Sequence, residues 1–187
     1  MISKILESIV VITFVILAYV INFVYLILHT ICTFLINIID YFKINKKMKI
    51  GIVSGYFNPI HYGHIEYINA AKKESDKLIV IINNDVQREL KGSKEFMDED
   101  HRLRIISNLK SVDTAIMSID KDKTQCETLK HLKSLYPNED LSFFNSGDRQ
   151  SENLVTAESQ VCKDYNIKEE VLVLPKIHSS SELLKKL

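Results

Sequence analysis

The sequence predicts an α/β fold: an open, doubly wound, mainly parallel sheet of about five strands, preceded by an N-terminal transmembrane helix. Three observations carry that expectation. From Met48 onward, short β-rich apolar runs alternate with amphipathic stretches at helical spacing. The polar, glycine-bearing loops follow the apolar runs rather than precede them. Before Met48, from Ile5 to Phe42, the chain is overwhelmingly apolar, whereas the remainder of its 187 residues is an ordinary charged sequence.

The N-terminal segment comes first. Ile9 to Leu28 reads "IVVITFVILAYVINFVYLIL", interrupted by Thr13, Tyr19 and Asn22 and by no charge. About 20 apolar residues suffice for one helix to cross a bilayer core of roughly 30 Å. After His29 and Thr30 the apolar character resumes as far as Asp40. One long tilted helix, or a short hairpin with an interfacial return, satisfies that pattern. A signal peptide fits less well, because the run is too long and no A-x-A-like site follows. A buried core helix fits poorly with a segment apolar on all sides. Lys4 precedes the span, whereas Lys43, Lys46, Lys47 and Lys49 follow it. The positive-inside rule then places a single-pass protein with its C-terminal domain in the cytosol. Residues 1–47 are thus expected to be anchor and basic linker, and residues 48–187 one folded domain.

The soluble part reads as alternating elements. "KIGIVSG", Lys49 to Gly55, is the first strand, and "HIEYINAAKKESD" has helical spacing through Ile65, Ile68 and Ala71. "KLIVIIN", Lys77 to Asn83, is continuously apolar, as a parallel strand covered on both faces should be. A polar loop leads to a helix through Leu103, Ile106 and Leu109. "DTAIMSI", "DLSFFNSGD" and "EEVLVLP" supply three more strands, separated by helices in "CETLKHLKSLY" and "AESQVCKDYN", and "SSSELLKKL" closes the chain as a helix. In such sheets ligands bind beyond the strand C-termini. The formal net charge is zero, so no global basic footprint points to nucleic acid. Cys32, Cys126 and Cys162 are far apart and form no CxxC pair. That spacing argues against a disulfide framework or zinc site and fits a reducing compartment.

Chemistry concentrates after the first strand, in "GYFNPIHYGH", Gly55 to His64. His61 and His64 stand three residues apart at a helix start, where free N–H groups and the helix dipole attract phosphate. Gly55 and Gly63 allow close backbone approach. Each imidazole is able to donate to phosphate oxygens, more strongly as charge grows in a transition state. The alternatives are a chance pair of surface histidines and a zinc pair, for which no third ligand has suitable spacing.

This stretch resembles the signature of the HxGH nucleotidyltransferase superfamily, the cytidylyltransferase-like group, which reads G-x-F-D-x-x-H-x-G-H after the first strand. The resemblance covers Met48 to Leu187 and implies a Rossmann-like domain. It departs at Asn58, where aspartate is usual. "NNDVQRELKGSKEFMDEDHR" is similar to the segment after strand two, which maps a substrate-binding lysine onto Lys91, more weakly onto Lys94, and an arginine onto Arg102. "NSGDR" resembles a G-G-D or G-D-D segment, implying that Asp148 and Arg149 bind nucleotide. "KIHSSSELL" resembles an I-S-T-[ST]-x-I motif, implying that Ser179, Ser180 and Ser181 hold triphosphate, although His178 replaces the usual isoleucine. A plain serine N-cap reads the same residues equally well.

The resemblance implies transfer of NMP from an NTP to a phosphorylated small molecule, with release of pyrophosphate. His61, His64, Lys91 and Arg102 are the expected catalytic residues. Gly55, Tyr56, Phe57 and Gly63 are expected to bind nucleotide. Mg²⁺ is expected to arrive with the NTP. CTP is favoured over ATP, with a small phospho-alcohol or sugar phosphate as acceptor. The alternatives are an ATP-dependent enzyme acting on a sugar 1-phosphate such as heptose-1-phosphate, and a non-catalytic membrane-held nucleotide-binding scaffold. Members are often dimers, so a homodimer is an expectation.

Overall fold

A computed structural model describes residues 2–44, 46–146 and 156–173. The chain divides into two compact units, Met1–Lys46 and Lys47–Leu187.

The first unit is a single helix, α1 (Ile2–Ile44). It runs unbroken through His29 and Thr30, so the hairpin reading gives way to one continuous helix. Polar residues inside it are satisfied locally: the Thr30 hydroxyl donates to the carbonyls of Leu26 and Ile27 at 3.0 and 2.8 Å. Thr13 and Thr33 do the same one turn back. None of the apolar window Ile9–Tyr41 is buried. At about 1.5 Å per residue that window is roughly 50 Å long, more than enough to cross a bilayer core of about 30 Å.

The second unit is a five-stranded parallel sheet in the order β3-β2-β1-β4-β5. Its strands are β1 (Lys49–Gly55), β2 (Lys77–Ile82), β3 (Thr114–Met117), β4 (Asp140–Ser146) and β5 (Lys168–Leu172). Its helices are α2 (Tyr62–Lys73), α3 (Asp85–Lys91), α4 (Glu99–Ser107), α5 (Cys126–Leu135) and α6 (Ala157–Asp164). The chain winds from β1 through β2 to β3 on one side, then returns across β1 to β4 and β5, so the order reverses between β1 and β4.

Strand pleating gives the sheet two cores. Ile50, Ile52, Ile79, Ile81 and Phe143 face one way and meet Leu129 and Leu132 of α5 and Val161 of α6. Val53, Leu78, Val80, Ile82 and Phe144 face the other and meet Ile68 and Ala71 of α2 and Ile106 of α4. The unbroken apolar run of β2 is thereby explained: alternate residues feed different cores. Each fully buried Ile or Leu contributes on the order of 1.5–3 kcal/mol. The edge strands β3 and β5 are only partly covered, as their burial patterns show.

The structure adds an element that periodicity does not announce. The polar loop after β2 contains α3, capped by Asn84, whose side chain accepts from the Gln87 N–H. It stops at Gly92, which takes φ 71°. That left-handed conformation is cheap for glycine and turns the chain toward α4. The predicted helix Ser179–Leu187 lies outside the described residues.

Candidate active site

β1 ends at Gly55, and the next residues build a tight connection into α2. Phe57 has φ 50°, and the Asn58–Pro59 peptide is cis. A Cβ on Gly55 would stand 2.8 Å from the Phe57 ring, so glycine is what lets that ring fold back. Phe57 is buried and meets His64 edge-on, with ring centroids 5.0 Å apart.

His61 is the N-cap of α2, Gly63 lies in its first turn, and His64 is its third residue. The two imidazoles stack with centroids 3.8 Å apart and planes inclined at 21°. The His61 backbone N–H donates to His64 Nδ1 at 3.3 Å. His64 Nδ1 is therefore an acceptor, and the ring proton of the neutral form sits on Nε2. Burial, with the positive charges of His61 and Lys91 added, pushes the His64 pKa down to about 3. His64 is thus a neutral Nε2–H donor across the physiological range. The unfolded chain, titrating near 6.5, takes up a proton on this side chain that the folded chain refuses. The contribution to stability is complete above pH 6.5 and is lost as pH falls toward 3, by at most about 1.4 kcal/mol per pH unit. Urea midpoints at pH 7 and pH 5 should therefore drop further for the wild type than for His64→Gln; equal drops would contradict the buried neutral histidine.

Lys91 connects this pair to a cleft. It ends α3, its Nζ lies 4.2 Å from the centre of the Tyr56 ring, and its charge acts on His64. The cleft, about 310 Å³, opens at the C-terminal ends of β1 and β2, beside Gly55, Tyr56 and Asn83. The β3–α5 loop and α6 close it through Lys123, Gln125 and Glu158. A larger hollow of about 570 Å³ lies at the opposite end of the strands, between Lys49, Asp140 and Lys168. The smaller one occupies the position where open α/β sheets bind ligands.

Arg102 requires a correction. Expected to touch substrate, it is 1% exposed. Its guanidinium donates to the carbonyls of Tyr56 at 2.8 Å, Asn83 at 2.6 Å and Met97 at 3.2 Å, and to the Asp85 carboxylate at 2.6 Å. It ties the ends of β1 and β2 to the starts of α3 and α4. Arg102 is a positioning residue beneath the cleft. Asp85 also pairs with Arg88 at 3.3 Å, and it exchanges hydrogen bonds with Glu99: each carboxylate accepts from the other's backbone N–H.

Asn58 also finds its reason. Its Oδ1 accepts from the N–H groups of Phe96 and Met97, both at 3.0 Å, and its Nδ2 donates to the Lys94 carbonyl at 2.8 Å. An aspartate accepts the first two bonds equally well but has nothing to donate to Lys94. Asn58→Asp should destabilise the fold by about 0.5–1.5 kcal/mol, the usual net worth of one hydrogen bond, because the exposed Lys94 leaves its carbonyl open to water. An unshifted denaturant midpoint would rule this clamp out.

Asp148, Arg149, Ser179, Ser180 and Ser181 lie outside the described residues. No group of three or more His, Cys, Asp or Glu able to hold a metal occurs among the described residues. Sequence reasoning missed Asn84, Gln87, Gln125 and Glu158. The Asn-Asn-Asp run at the end of β2 was a usable signal for the first; Gln125 and Glu158 carry none, because only the tertiary fold brings them to the cleft.

A parallel doubly wound sheet with a histidine pair at the first helix start and a lysine across the strand ends defines a Rossmann-like nucleotidyltransferase domain. The chain belongs to the cytidylyltransferase-like family, whose model matches residues 52–183. Similar proteins include FAD synthase of Thermoplasma acidophilum, 36% identical over 86 residues, which cover 45% of this chain and 61% of that protein. Bifunctional protein HldE of Gluconobacter oxydans is 38% identical over 88 residues, 46% of this chain and 18% of that protein. The chain spans 45–61% of the length of the FAD synthases it matches. Among solved structures, the lipopolysaccharide core biosynthesis protein from Thermoplasma volcanium superposes with a TM-score of 0.53 at 25% identity, over 68% of this chain and 98% of that one.

Proposed function

We propose that the protein is a membrane-anchored nucleotidyltransferase that moves a nucleoside monophosphate from an NTP to a phosphorylated small molecule. The observation that carries this reading is the stacked His61–His64 pair at the start of α2, with a neutral Nε2–H on His64 and Lys91 nearby. In the proposed reaction a phosphate oxygen of the acceptor attacks the α-phosphorus, the bond to the bridging oxygen breaks, and pyrophosphate leaves with that electron pair. The acceptor oxygen is already anionic, so no side chain need act as a strong base. Positioning two anions and stabilising developing charge is the work required. His61 and His64 suit the transferring phosphate, and Lys91 the charge of the acceptor or the leaving group. Mg²⁺ would arrive with the NTP and would offset triphosphate charge that few side chains here balance.

The nucleotide preference shifts from the sequence-based expectation. FAD synthases are prominent among the relatives, and an adenine dinucleotide product points to ATP rather than CTP. The scaffold alternative loses part of its support, since Asn58 now has a positional role that leaves the histidine site intact. α1 anchors the protein in this reading, with Lys43, Lys46, Lys47 and Lys49 marking the cytosolic side.

Pyrophosphate release by the full chain, with ATP, CTP, GTP and UTP in turn over a panel of phosphorylated acceptors, tests the reading. Release with ATP favoured is the expected result. Nucleotide binding by calorimetry without release on any acceptor would instead establish a scaffold. Protease protection in sealed vesicles checks orientation: a domain shielded in the lumen of vesicles whose outer face is the cytosolic face would contradict the cytosolic placement.

A further inference from the structure

A row of buried amides ends at the cleft with one acceptor unmet. The backbone N–H of Asn84 donates to Gln87 Oε1 at 3.2 Å, and Asn83 Nδ2 donates to the same atom at 3.1 Å. Two donors fix that atom as the oxygen. Gln87 Nε2 accordingly donates to the Thr124 carbonyl at 2.7 Å. Gln125 Nε2 then faces Gln87 Oε1 at 3.5 Å, which leaves Gln125 Oε1 at the end of the row. Gln125 is 3% exposed and lines the cleft, yet its Oε1 has no hydrogen-bond partner among the described residues. Buried side-chain oxygens without partners are uncommon and costly unless a ligand supplies the donor.

Glu158, in the first turn of α6, is 7% exposed and lines the same cleft. It makes no hydrogen bond or ion pair with the described residues. The cleft thus presents two acceptors that call for donors on the ligand, either hydroxyl or ammonium groups. Lys91 and Lys123 line it as well, which favours an anion and disfavours a cation. Tyr56 is its one aromatic wall among the described residues, and that ring already carries the Lys91 ammonium, so no bare platform remains for stacking a large flat ring.

We infer that Gln125 and Glu158 are specificity-determining residues that read the hydroxyl groups of a small polyhydroxylated phosphate, the acceptor of the transfer proposed above, on which this assignment rests. The lysines take the phosphate, while the amide and carboxylate take the hydroxyls. The amide row sets which way Gln125 faces before any ligand arrives.

The test uses the full chain in detergent, with Mg²⁺ and ATP, and reads pyrophosphate release. Glycerol 3-phosphate and a hexose 1-phosphate are compared with propyl phosphate, ethanolamine phosphate and flavin mononucleotide. At least one of the first two should exceed the other three by 10-fold or more in kcat/KM, the scale expected when a buried acceptor is left unpaired. Gln125→Met should raise the acceptor KM by about 10- to 100-fold, and Glu158→Gln by a smaller factor, while the ATP KM changes by less than about 3-fold. The acceptor comparison on the wild-type protein stands even if Gln125→Met fails to fold. Unchanged acceptor KM values in folded variants would overturn this subsite and leave the transferase reading standing, as would a preference for ethanolamine phosphate or the flavin. No release with any acceptor would overturn both.

Discussion

Replacing His64 with alanine should lower kcat by on the order of 10²- to 10³-fold, the loss seen when one donor to a developing oxyanion is removed. The expected magnitude rests on geometry. His64 Nδ1 is committed to the His61 N–H, so Nε2–H is the atom left to meet phosphate. With a pKa near 3, the ring delivers a hydrogen bond and no full charge. A neutral donor gains most as negative charge builds on the α-phosphate, so the loss should fall on kcat more than on nucleotide KM. The fold should survive, because α2 keeps Tyr67, Ile68 and Ala71 in the core. Circular dichroism and a thermal melt beside single-turnover kinetics would separate these effects; a variant that retains full turnover would remove His64 from the mechanism.

Replacing Arg102 with leucine should also abolish activity, for the opposite reason. The change withdraws donors from the carbonyls of Tyr56, Asn83 and Met97 and strips Asp85 of its closest cation. Removing one partner from a buried charge pair costs about 3–5 kcal/mol. For a chain of this size that corresponds to a fall in Tm of roughly 10 °C. The variant should therefore lose stability and activity together, whereas His64→Ala loses activity alone. A stable, folded Arg102→Leu protein with impaired chemistry would restore Arg102 to direct substrate contact.

The contrast between these residues shows what the sequence reveals and what it hides. The strands were legible because burial on both faces writes itself as an unbroken apolar run, as in Lys77–Ile82. The histidine pair was legible because three-residue spacing at a helix start has one spatial meaning. Arg102 was misjudged because an arginine at a helix start looks the same whether it points out to phosphate or in toward strand-end carbonyls; only the packing of α4 beside β2 decides. The seven residues of α3 escaped notice because the helix buries Gln87 and Arg88 rather than an apolar stripe. Gln125 was illegible because its meaning depends on amides nearly forty positions away in the chain.

Transfer of radiolabel from [α-³²P]ATP to an acceptor, by the wild-type chain and by His64→Ala in parallel, decides whether the His61–His64 pair carries the reaction. The wild type should give labelled nucleotidyl-acceptor and unlabelled pyrophosphate, with the variant slower by on the order of 10²-fold or more at equal folded concentration. Equal label transfer by both proteins would contradict a reaction centred on the His61–His64 pair.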